Sequence, residues 1–113
     1  MQVVFWTSIS GDSPITEFID SIPIKAQKKI VRTLELIEKH GMGFIKYFKY
    51  CTKVEDGLYE LKIRFDKIFY RILLIIKKAV CYILHIFKKK TNKIPRREIG
   101  TALVRARSLS AII

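Results

Sequence analysis

Two apolar runs dominate the second half of the chain, Phe69 to Ile76 and Ala79 to Phe87, separated only by Lys77-Lys78. Each has the length of a strand, and strands buried on both faces of a sheet read as unbroken apolar runs rather than as alternation. The pair is therefore expected to form a hairpin at the centre of an antiparallel sheet. The competing reading, a membrane span, needs about 20 mostly apolar residues. Arg71, Lys77, Lys78 and His85 interrupt this tract, so no membrane association is expected.

The rest of the chain supplies what a central hairpin needs around it. Leu58 to Phe65 alternates, with Tyr59, Leu61, Ile63 and Phe65 on one side and Glu60, Lys62 and Arg64 on the other, the pattern of a half-buried strand. Asp56-Gly57 and Asp66-Lys67 supply turns. Val3 to Trp6 reads as an opening strand, and Ser8 to Ser13 as a polar turn. Ser13-Pro14 starts a helix with Ile15, Phe18, Ile19 and Ile22 on one face, closed by Pro23. A second helix runs from Ile24 to His40, with Ala26, Ile30, Leu34 and Ile37 inward and lysines outward, stopping at Gly41. A basic loop from Lys88 leads to a last helix begun by Pro95, whose apolar face carries Ile99, Ala102, Leu103 and Ala106. This order predicts an α+β fold, and 113 residues predict one domain over 1–113.

Charge narrows the partner. Lysine and arginine number 22 against 10 acidic residues, a net charge of +12, which calls for a polyanion without choosing among nucleic acid, an anionic surface and an acidic protein. No GxSxG, Walker or HExxH motif is present, so conventional hydrolase and nucleotide-binding readings fail. Cys51 and Cys81 lack CxxC or Cys/His spacing; they are expected to be buried free thiols, with no metal site or disulfide. The first ten residues lack the basic region and apolar run of a signal peptide, so a cytoplasmic protein is expected.

Arg71 is the most informative residue. A guanidinium inside an apolar strand must either pair or face a cleft, which leaves two outcomes open: an internal ion pair with Glu60 across the strand pair, or a bidentate clamp on phosphate. Lys62, Arg64 and Lys88 to Lys90 would add to a clamp, or would serve only to protect a strand edge. His85 shares strand parity with Cys81, Ile83 and Phe87, which predicts a core or semi-buried imidazole.

The segments Asp56 to Lys62, Tyr70 to Leu73, Leu84 to Pro95 and Glu98-Ile99, with Ala102 following, resemble the HigB-like, phage-associated branch of the RelE/ParE toxin superfamily of type II toxin–antitoxin systems. The resemblance implies a RelE-like antiparallel sheet flanked by the N-terminal helical hairpin, with a short C-terminal helix. It implies endoribonuclease cleavage of mRNA on the ribosome without metal or other cofactor, and a cognate antitoxin, helix-turn-helix and HigA-like, that masks the toxin. Lys62, Arg64 and Arg71 match basic strand positions of RNA-cutting relatives, and the Lys88 to Lys90 run matches the basic end of the last strand. Lys89 is expected to act in catalysis with these three. Lys88, Lys90, Lys93, Arg96 and His85 are expected to hold the RNA.

Such chemistry needs little equipment. RNA carries its own nucleophile, the 2′-hydroxyl, so a protein has only to align it, accept its proton and stabilise the extra charge on phosphorus. Crowding with Arg64 and Arg71 makes Lys62 the candidate base, with Arg71 and a neighbouring lysine holding the developing charge. The same fold would also suit a ParE-like topoisomerase poison or a non-enzymatic binding protein.

Overall fold

The computed structural model describes residues 1–89 and 93–112, and for 110–112 their backbone alone. The two apolar runs pair as expected: β4 (Ile68–Lys77) and β5 (Val80–Lys89) lie antiparallel at the middle of a five-stranded sheet. Strand β3 (Tyr59–Phe65) lies antiparallel to β4, and a short β2 (Cys51–Lys53) lies outside β3. On the other side, β1 (Gln2–Phe5) runs parallel to β5, giving the order β1-β5-β4-β3-β2. The expected antiparallel sheet is thus mixed at one edge. The chain between β1 and β5 includes the N-terminal helices, the long crossover a parallel neighbour requires.

One face of the sheet is covered by α1 (Pro14–Ser21), α2 (Ile24–His40) and α3 (Met42–Tyr47). Their inward residues Ile15, Ile19, Ala26, Ile30, Leu34, Ile37 and Ile45 pack with Leu61, Ile63, Tyr70, Ile72, Leu74, Cys81, Ile83 and Ile86 into the main core. The periodicity located α1 and α2 closely, although Ser13 occupies the N-cap position of α1 without a side-chain capping bond. Gly41 ends α2 at φ 58° and ψ −134°, where its N–H donates to Ile37 O at 2.7 Å, a conformation in which a Cβ would be strained. Elements α3 and β2 are too short for periodicity to reveal. Cys51 and Cys81 are buried free thiols, pushed up to about 11 and about 12 chiefly by burial.

The fourth helix, α4 (Arg96–Ile112), crosses the other face of the sheet. Its Ile99 and Ala102 bury against Leu58, Leu73, Ile75, Leu84 and Phe87 as a second core. Among the described residues, no helix is long and apolar enough to cross a membrane.

The β3–β4 and β4–β5 hairpins close through Asp66-Lys67 and Lys78-Ala79, all four at positive φ. Two-residue hairpins favour this left-handed backbone because it matches strand twist, but they ordinarily recruit Gly or Asn for it. Ala79, at φ 62°, carries a Cβ penalty of roughly 1–2 kcal/mol. Ala79→Gly is expected to recover about 1 kcal/mol of that, read as a higher urea midpoint.

Candidate functional site

The pleat of the three central strands decides which cations meet. Cross-strand pairs share a face, and on the α4 side they form two rows: Lys62, Arg71 and Phe87, then Arg64, Phe69 and Lys89. Lys62, Arg64 and Lys89 therefore stand on one face around Phe69, and Arg71 lies directly across from Lys62. Lys88 pairs with Tyr70, which places its exposed side chain on the helix-covered side, away from the others. The pleat thus selects Lys89 over Lys88, and the expectation that Lys88 joins this face is corrected.

Arg71 has no exposed surface, although it is among the largest side chains in the protein. Its Nε lies 3.5 Å from Glu60 Oε2, and Glu60, 3% exposed, also stands 3.8 Å from Lys62 Nζ through Oε1. The internal pair with Glu60 is the outcome the fold has taken; in this conformation Arg71 does not reach a phosphate. The reason lies in the sheet: Arg71 sits between the partners Lys62 and Phe87 on a central strand, where side chains have neighbours on both sides. Among the described residues, no hydrogen-bond partner meets the guanidinium nitrogens or Glu60 Oε2. Burial pushes the Glu60 carboxyl above its ordinary range, while Arg71 and then Lys62 pull it back down.

Arg64 is exposed, its guanidinium 5.7 Å from the centre of the Phe69 ring, a cation–π contact that places the charge above the face. Lys89 is half-buried and Lys93 exposed. Arg96, at the start of α4, pairs with Glu55 while its side chain stays largely in solvent. Lys90 lies outside the described residues.

His85 departs from its expected parity. Leu73 pairs with His85 but Leu74 with Ile83, so Leu84 is an extra residue in β5. This bulge turns the strand: Cys81 and Ile83 face the main core, whereas His85 and Phe87 face α4. There His85 Nε2 lies 3.2 Å from Glu98 Oε1, and Arg105 Nη1 lies 3.3 Å from Nδ1. Arginine can only donate, so Nδ1 accepts and Nε2 carries the proton it gives to Glu98. Both ring nitrogens serve the docking of α4, which leaves neither for RNA in this arrangement. Arg105 also donates to Leu84 O and stacks 4.7 Å over Trp6, whose Nε1 donates to Ser108 Oγ. Sequence reading missed this latch; the signal was Glu98 and Arg105, seven residues apart and so on one face of a helix.

Burial lowers the His85 pKa below its ordinary 6.5, with Arg105 adding to the effect and Glu98 opposing it. The folded protein therefore refuses a proton that the unfolded chain accepts. This contribution is full above about pH 6.5 and is lost as pH falls from there toward the lowered folded value. Trp6, the only tryptophan, reports on the latch: its fluorescence is expected to titrate below about pH 6.5 as α4 loosens, and the transition is expected to disappear in His85→Phe.

A sheet covered by helices on one side and crossed by a C-terminal helix on the other, with a basic strand face beside that helix, is compatible with the RelE-like α+β fold. The model of the phage-derived Gp49-like protein family (DUF891) matches residues 17–107, and the chain belongs to that family, within the RelE/ParE-like toxin superfamily of toxin–antitoxin systems. Membership implies a toxin-like protein with a cognate antitoxin as partner. A comparison with curated proteins finds no match.

Proposed function

We propose that this protein is the toxin of a type II toxin–antitoxin pair, of the HigB branch, and cuts ribosome-bound mRNA in the cytoplasm without a metal. The observation that carries the reading is the convergence of Lys62, Arg64 and Lys89 around Phe69 on one strand face, in a chain of net charge +12.

In this reading the phosphate lies over that face. The 2′-oxygen attacks phosphorus, the P–O5′ bond breaks to leave a 2′,3′-cyclic phosphate, and the departing 5′-oxygen takes a proton from water, while Arg64 and Lys89 neutralise the charge that develops on the way. Lys62, half-buried and held by Glu60, is the group placed to take the 2′-hydroxyl proton once its ammonium has given up a proton to solvent. Arg71 works through these residues: it holds Glu60, and Glu60 holds Lys62. Phe69 offers an apolar ring against which an unpaired base can lie. A helical antitoxin, helix-turn-helix in type, would silence the toxin by covering this basic face, its capture speeded by opposite charge.

The test is primer extension on cellular mRNA after a short induction of the wild type, Lys62→Met and Lys89→Met. Cuts within reading frames that vanish in both variants are the expected result. Growth arrest without cuts, unchanged by either substitution, would replace this reading with topoisomerase poisoning.

A further inference from the structure

We propose that the groove along the free edge of β3 is a subsite for one nucleotide of single-stranded RNA, its base against Tyr50 and its phosphate among Lys29, Lys62 and Arg64. The proposal rests on the RNA-cutting reading above and extends it to how the strand beside the cut is gripped.

The groove exists because β2 is short. It pairs only with Tyr59 to Leu61, and the last link on that side is the Lys62 N–H donating to Tyr50 O at 2.9 Å. Beyond it, among the described residues, no strand pairs with Ile63 to Phe65 on that edge. A groove of about 380 Å³ opens there between α2 and the chain leaving α3, lined among others by Lys29, Phe48, Tyr50, Lys62, Arg64 and Phe69. The Lys29 ammonium crosses to the Arg64 carbonyl, satisfying an acceptor that a further strand would otherwise take.

Three features select the occupant. Among the described residues, no carboxylate lines the groove, whereas three cations do, so an anion is called for. Tyr50 is 49% exposed yet braced, its ring edge-on to Phe48 at 5.7 Å, and Phe48 in turn stacks on Phe44 at 4.5 Å. A held, half-exposed aromatic ring beside cations is what an unstacked base and its phosphate require, since every base offers a π-face. Finally, Lys62, Arg64 and Phe69 belong both to the groove and to the strand face where cutting is proposed, so one extended strand can occupy both. A duplex could not, because its bases are already stacked.

The experiment measures fluorescence anisotropy of a labelled 2′-O-methyl RNA hexamer, which lacks the attacking hydroxyl and cannot be cut. Tyr50→Ala is expected to weaken binding about ten-fold or more, the usual loss for one base–aromatic stack, while Tyr50→Phe binds as the wild type does. On a hexamer of abasic ribose phosphates, wild type and Tyr50→Ala are expected to bind equally, because no base is left to stack. Equal binding of the intact hexamer by Tyr50→Ala and wild type overturns the subsite while leaving the RNA reading standing. No binding by wild type overturns both. If hexaglutamate displaces the RNA and loses the same factor on Tyr50→Ala, the groove belongs instead to an acidic protein segment.

Discussion

Arg71→Ala is expected to lose roughly 3–5 kcal/mol of folding stability, the cost of removing one partner from a buried ion pair. That is a large share of the roughly 5–15 kcal/mol that holds a typical domain together. The loss follows from what stays behind: Glu60, 3% exposed, whose charge burial already opposes and whose main compensating cation is Arg71. The deficit relative to wild type is expected to shrink as pH falls, because Glu60 protonates more readily once the guanidinium is gone and a neutral carboxyl tolerates burial better. Urea denaturation at two pH values reads both effects.

Arg71→Met combined with Glu60→Leu separates folding from function. Replacing a buried ion pair by apolar side chains of similar size is often neutral or stabilising, so this variant is expected to recover most of the stability lost in Arg71→Ala. If Glu60 orients Lys62 as proposed, the recovered protein still cuts slowly, through kcat and with KM unchanged. Full activity in this double variant would remove Arg71 and Glu60 from the proposed chemistry and leave them a purely structural pair.

The second large effect is expected at the half-buried lysines of the strand face. Lys62→Met and Lys89→Met are each expected to slow RNA cutting by about 10²- to 10⁴-fold, the range for losing a proton-transfer group or a charge-stabilising donor. Both should cost less stability than Arg71→Ala, because Lys62 and Lys89 keep contact with solvent and, in Lys62→Met, Arg71 remains beside Glu60. Lys88→Met is the internal comparison: its side chain is on the opposite side of the sheet, and cutting is expected to be unchanged. Single-turnover cleavage of ribosome-bound message measures all three variants. Equal losses at Lys88 and Lys89 would show that general basicity rather than a defined face governs the activity.

The elements legible in the sequence are those with a repeated signal. Helix α2, bounded by Pro23 and Gly41, and the hairpin of β4 and β5, built from two apolar runs, emerge from pattern alone because burial imposes a period on every turn or pleat. Elements α3 and β2, at six and three residues, fall below the length at which a period can be recognised. The parity of β5 misled for a different reason: one extra residue at Leu84 reverses the side on which everything after it points, and only the partner strand reveals which residue is extra.

The cations Lys62, Arg64, Arg71 and Lys89 can be picked out as a candidate set by residue type and spacing, together with the α+β class and the charge that demands a polyanion, since these depend on the identity and order of residues. Which cations stand in solvent and which is buried depends on contacts between strands and with a helix distant in sequence. Packing thus enclosed Arg71 with Glu60, turned Lys88 away and tied His85 to α4, because burial and pairing belong to the surroundings that the folded chain assembles around each residue.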